Sequence, residues 1–117
     1  MSVKRHDYVL VGINVIEELD KMSEEQKEKL FDSDLMNARK YEVGEICYLF
    51  DGYSEEYLIV GIPIAVSHDD YEGLPYSELN VVGKNSLFEL IKRVEQHVLV
   101  EFGNVGHAKL ISLAHWI

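Results

Sequence analysis

Two runs of this chain, Tyr-Val-Leu-Val-Gly-Ile at residues 8–13 and Tyr-Leu-Ile-Val-Gly-Ile at residues 57–62, are near copies of one another. Each is short, continuously apolar and β-branched, the pattern of a strand buried on both faces rather than of a surface strand with alternating polarity. A chain with two such strands must cover both sides of the sheet they form. That requirement limits the folds open to 117 residues, a length that suits one domain, taken as residues 1–117.

The segments around the two runs supply the other elements. Asn14 stands three residues before Glu17 and Ser23 three before Gln26, both in capping-box spacing, with Val15, Ile16, Leu19 and Met22 on one helical face. This predicts helix over residues 15–39, broken once near 21–23, as one bent helix or two in succession. Residues 45–50 read as a second strand. Asp51, Gly52 and Ser54 then give turn chemistry, with the glycine supplying a positive φ, and a hairpin leads into a third strand over 56–66. Pro63 cannot donate a ladder hydrogen bond, which predicts either a bulge near Gly61 to Pro63 or pairing that stops there on one side. A polar loop with Gly73 and Pro75 follows, with a short strand at 81–83. Ser86 and Glu89 then open a helix built on Leu87, Leu90, Ile91, Val94 and Val98, and residues 108–117 form the last strand.

The resulting order is β-α-β-β-α-β, the ferredoxin-like α+β arrangement of an antiparallel sheet with its helices on one face. An approximate two-fold axis of that fold exchanges its first and third strands, the central pair. The repeated runs fall on those strands, and Gly12 is expected opposite Gly61. Helices on one side leave the other apolar face of both strands bare, which implies either a homodimer joined sheet face to sheet face or another covering element.

Charge is concentrated. Between Lys40 and Lys84 there is no Lys or Arg but nine acidic residues, while the remainder carries 11 basic and 12 acidic ones. Such a region repels a phosphate backbone and attracts a basic protein. The expected function is therefore a non-enzymatic binding or regulatory one, in which the acidic, Tyr-bearing stretch 41–83 engages a basic partner protein, one that itself handles nucleic acid. Glu55, Glu56, Asp69, Asp70 and Glu72 supply the charge, and Tyr53, Tyr71 and Tyr76, all in loops, supply rigid contact area. Tyr48 and Tyr57 are read as core strand residues. Direct nucleic-acid binding and membrane insertion are not expected, since no apolar run approaches the ~20 residues of a span. A single cysteine, Cys47, in an apolar run agrees with a reducing, cytoplasmic setting and an inert thiol.

The alternative is a small metal-dependent enzyme or ligand-binding domain. Pairing of the central strands places His6 beside Ser67 and close to His68, so His6, His68 and Asp69 form a candidate site for a divalent metal, the one cofactor considered. Glu45, Glu72 and His115 are expected farther off. Such a cluster would make that end of the sheet sensitive to pH near neutrality. The hairpin carrying Asp51, Glu55 and Glu56 is expected ~30 Å away at the opposite end. Other catalytic templates are missing: there is no phosphate-binding glycine loop, nucleophile elbow or paired-cysteine motif, which points away from an enzyme. His97 is expected on the exposed side of its helix, near the C-terminus.

Overall fold

A computed structural model of the chain describes residues 4–68, 86–103 and 106–116. The chain is α+β, with a four-stranded antiparallel sheet and helices. Strand β1 (Arg5–Asn14) is followed by three short helices, α1 (Ile16–Leu19), α2 (Glu24–Phe31) and α3 (Asp34–Asn37). Strands β2 (Cys47–Phe50) and β3 (Leu58–Ser67) form the hairpin, and α4 (Leu87–Phe102) precedes β4 (Lys109–Trp116). The strand order is β2-β3-β1-β4. The expected strand at 81–83 lies outside the described residues.

The helical segment is broken twice, not once. Ser23 forms the full capping box, accepting from the Gln26 amide at 3.2 Å while Gln26 Oε1 accepts from the Ser23 amide at 2.9 Å. Ser33 then caps a third helix by accepting from the Met36 amide, and helix ends at Asn37. Asn14 does not cap α1. Its side-chain oxygen accepts from the amides of Ile16 and Leu58, tying the end of β1 to the start of β3. In the β2–β3 turn the positive φ belongs to Glu55 rather than Gly52, because the Asp51 carboxylate gathers the amides of Tyr53, Ser54 and Glu56 and so sets the loop's path.

Gly12 and Gly61 are register partners, and Gly61 also pairs with Cys47 of β2. The bulge falls just after Pro63: Leu10 pairs with Pro63 but Val9 pairs with Ala65, leaving Ile64 as the extra residue. This slip moves Asp7, not His6, opposite Ser67.

Two cores lie on the two faces of the sheet. On one, Val11, Ile13, Leu58, Val60 and Ile62 pack with Leu90, Val94 and Val98 of α4, and with Ile16, Leu19, Leu30, Leu35 and Met36 of the earlier helices. Leu87, expected on the buried side of α4, is exposed. On the other face Tyr8, Leu10, Leu49, Ile59 and Cys47 pack around Tyr41. The Tyr41 amide donates to the Tyr8 hydroxyl, and its own hydroxyl lies against the carbonyl oxygens of Leu35 and Tyr48. The helix-free face is thus covered in part by the segment after α3. Burial pushes the Cys47 thiol up to about 12, so it stays protonated.

The sheet also covers itself. By register Tyr57 lies beyond the β3 end that meets Asn14, whereas His115 lies opposite His6 at the other end of β1, so a flat sheet would hold them roughly 30 Å apart. Yet the Tyr57 hydroxyl is 2.8 Å from His115 Nδ1. Diagonal corners of the sheet, the hairpin and the end of β4, therefore roll together over the second core. The two glycines sit at the middle of that roll, where Leu10 lies across both of them.

Candidate functional site

The roll creates two adjoining features, a polar chain with His6 and His115 buried at its centre and an exposed rim. Within the chain, His6 and His68 meet with their Nδ1 atoms 2.8 Å apart, a hydrogen bond in which one ring donates and the other accepts. Both rings stack edge-on, and the Tyr8 ring leans on His68. His68 Nε2 lies 3.4 Å from a Glu42 carboxylate oxygen. On its other side His6 faces His115, its register partner on β4. Directly opposed residues of antiparallel strands hold their Cβ atoms ~5 Å apart on the same face. His115 in turn bonds Tyr57. Glu42, His68, His6, His115 and Tyr57 thus run from one edge of the second core to the other.

Burial of His115, with His6 beside it, lowers its pKa to about 4, so its ring is neutral, and its Nδ1 shares a hydrogen bond with the Tyr57 hydroxyl. Burial likewise holds the Tyr57 phenol up to about 12 and keeps it a donor. At this end of the sheet the His115 pKa is moved downward because desolvation disfavours the imidazolium.

The sequence placed His6 with His68 correctly but set His115 at greater range. The structure instead puts it directly across from His6, because β4 pairs with β1 through its last residues. The matching order His6-Tyr8-Leu10 and His115-Leu113-Ile111, polar at one end and apolar beyond, is the signal that could have identified the partner. His97 also differs from expectation: it is half-buried, with Nε2 2.7 Å from the Tyr48 hydroxyl, and links α4 to β2.

As a metal site, His6 and His68 are in contact, and the third expected ligand, Asp69, lies outside the described residues. Among the described residues no group of three or more His, Cys, Asp or Glu side chains has a metal-holding arrangement. Two nitrogens on one tetrahedral zinc at ~2.0–2.1 Å would stand ~3.3 Å apart, so the 2.8 Å contact is that of a hydrogen-bonded pair.

The rim consists of residues the roll brings together from distant parts of the chain. Tyr53 is 65% exposed and Trp116 is 47% exposed. With Asp51, Ser54, Tyr57 and Ala114 they line a surface hollow of about 400 Å³. Glu55 and Glu56, both exposed, follow Tyr53 after Ser54. Of the expected partner-binding residues, the structure thus brings Tyr53, Glu55 and Glu56 to one corner, whereas Asp69, Asp70, Tyr71, Glu72 and Tyr76 lie outside the described residues. Sequence reasoning set Trp116 at the histidine end of the sheet and missed its place beside Tyr53, since a strand residue gives no sign of what a rolled sheet sets beside it. Backbone bonds from three amides hold the Asp51 carboxyl below its ordinary pKa, so it is ionised at the edge of the hollow. An aromatic pair with carboxylates beside it is suited to receiving a cationic side chain, whose charge is drawn to ring faces and to anions alike. Among known proteins, no family model, no curated protein and no solved structure matches this chain.

Proposed function

We propose that this protein is a non-enzymatic binding protein that docks a basic segment of a partner protein at the rolled corner, seating a Lys or Arg side chain between Tyr53 and Trp116. The observation that carries this reading is the pairing of two exposed aromatic rings, 63 positions apart in sequence, on one hollow lined also by Asp51, with Glu55 and Glu56 exposed on the same turn. Tyr and Trp offer large, rigid contact area of the kind that dominates interface energetics. The carboxylates add steering and partner choice more than raw affinity.

Trp116 is the chain's one tryptophan, so its fluorescence reads the site directly. Titration with a lysine- and arginine-rich peptide should change that fluorescence, and the affinity should fall steeply with salt. Tyr53→Ala should weaken binding roughly 5-fold, for about 1 kcal/mol of lost ring contact. Glu55→Gln with Glu56→Gln should weaken it about as much, at ~0.5 kcal/mol per rim charge. An acidic peptide of equal length that produces the same change, or binding indifferent to salt, would refute the reading.

We infer also that the scaffold is ferredoxin-like. In support are the all-antiparallel order β2-β3-β1-β4, the helical crossover from β1 to β2, the β2–β3 hairpin and α4 before β4. Three short helices stand in place of one in the first crossover, and the sheet is rolled. The fold carries the site without specifying the function.

A further inference from the structure

A second cleft is lined by the segment after α3, by β2 and by the end of β4. It holds about 320 Å³, within the range of small-molecule sites, and shares only Tyr53 and Trp116 with the hollow described above. Its walls are largely aromatic. Phe31 and Phe50 meet edge to face with ring centroids 5.1 Å apart, and the buried rings of Tyr41 and Tyr48 line it as well. The Tyr41 hydroxyl is fixed against two carbonyl oxygens and the Tyr48 hydroxyl against His97, so both rings are held in place before anything binds.

Two polar groups in this cleft have no partner among the described residues. His115 is only 4% exposed yet lines the cleft, and with Nδ1 committed to the Tyr57 hydroxyl its ring has one hydrogen-bonding atom left, Nε2. No described residue bonds that atom. A polar group buried to this extent costs free energy until something meets it. Because the ring is neutral, Nε2 is a single donor or a single acceptor, and a ligand edge that offers both kinds of group suits either tautomer. The second group is Arg39, which lines the cleft from an exposed position and forms no ion pair with any described residue. Asp51, Glu55 and Glu56 carry the opposite charge on the turn whose Gly52 and Tyr53 also line the cleft, so an anion is favoured only beside Arg39.

We propose that this cleft binds a small molecule with a planar heteroaromatic ring and one acidic group at its end. The ring stacks among Phe31, Phe50, Tyr53 and Trp116, its polar edge meets His115 Nε2, and the acid reaches the Arg39 guanidinium. Stacking on aromatic side chains tolerates many rings, so selectivity rests on the edge and on the charge. Nucleoside monophosphates and indole carboxylic acids share this chemistry. A benzene ring carrying the same acid lacks the polar edge and leaves Nε2 unmet. The site does not depend on peptide docking at the corner, since His115, Arg39, Phe31 and Phe50 take no part in that hollow.

Isothermal titration calorimetry of the whole chain with adenosine monophosphate, indoleacetate, phenyl phosphate and phenylacetate tests this. At least one of the first two should bind, roughly 5-fold more tightly than the phenyl compound with the same acid, the worth of one hydrogen bond. Which of them binds identifies the source of the ring. Arg39→Gln, at an exposed position, should weaken that binding about 5-fold while leaving basic-peptide binding no weaker. His115→Phe should level the heteroaromatic and phenyl affinities, a change of selectivity that a merely structural role for His115 does not produce. Absence of binding by both heteroaromatic acids, equal binding of the matching phenyl acid, indifference to Arg39→Gln, or selectivity that survives His115→Phe would each overturn the proposal. Loss of the basic-peptide result alone would strike the docking reading and leave this one standing.

Discussion

Gly61→Ala should destabilise the protein by about 3 kcal/mol, the upper end of what overpacking costs, and Gly12→Ala by about 1 kcal/mol. The two glycines are partners in the central strands, so any difference between them comes from what each methyl would meet. At Gly61 the new Cβ would press into the Val11 carbonyl oxygen and lie 3.0 Å from the Gly12 Cα, both backbone atoms, with Leu10 Cδ1 at 2.7 Å. A side chain could turn aside, but a central strand cannot. At Gly12 the nearest atoms are the Ile59 Cγ2 methyl at 3.0 Å and Leu10 Cδ1 at 3.1 Å, both side-chain atoms, with the Val60 carbonyl oxygen also at 3.1 Å. Small shifts relieve most of that. Since domains of this size are stable by only about 5–15 kcal/mol, the Gly61 variant should show a large fall in urea midpoint without a change in slope. It should also flatten the roll, separate Tyr53 from Trp116, and red-shift Trp116 emission under native conditions. Equal costs at the two glycines would disprove this account of the bend.

The same residues show how far the sequence could be read. The repeated Val-Gly-Ile identified the two central strands, and its pseudo-symmetry gave the Gly12–Gly61 partnership, because antiparallel register is fixed by a few local residues. Capping at Ser23 and Ser86 was legible for the same reason: one side-chain oxygen and one amide three residues on decide it. Asn14 has the same spacing but went instead to Leu58, 44 residues away, and local pattern holds no record of such a competitor. The roll was illegible altogether. Both faces of β1 and β3 read as apolar, which correctly demanded a second cover, yet the cover proved to be Tyr41 and the sheet's own corners. Coiling accumulates over many residues, so the ~30 Å assigned between hairpin and histidines, sound for a flat sheet, failed here. Trp116 was kept apart from Tyr53 through that one error, whereas His115 was set too far from His6 because the β1–β4 register was not read.

Acidification should cost the protein about 3 kcal/mol of stability between about pH 6.5 and about pH 4, chiefly through one side chain. His115 titrates at about 4 in the fold, against 6.5 for an ordinary imidazole, because it is buried and faces His6 across the β1–β4 pair. Between those values the unfolded chain binds a proton that the folded one rejects, so stability falls as pH falls, and below the folded value it falls no further on this account. Above the ordinary value the group has no effect. The groups around it are Tyr57, whose hydroxyl is hydrogen-bonded to its Nδ1, and Asp51, the carboxylate that opposes the shift. Asp51 also stabilises the fold through its lowered pKa, but that contribution is lost only below its ordinary value of 3.8, so the two do not overlap. Urea unfolding at a series of pH values should therefore give a sloping limb in the wild-type protein over the imidazole range. In His115→Phe, which keeps a ring in the second core but cannot be protonated, that limb should be mostly flat. A wild-type stability independent of pH over this range would sink the assignment of His115 as a buried neutral imidazole, and an equally steep limb in the Phe variant would move the proton elsewhere. Because His115 and Tyr57 pin the end of β4 to the hairpin, the same protonation should open the corner at which Tyr53 and Trp116 meet. Basic-peptide binding should then weaken with acidification more in the wild-type protein than in His115→Phe, and that difference separates loss of the site's shape from loss of its charge.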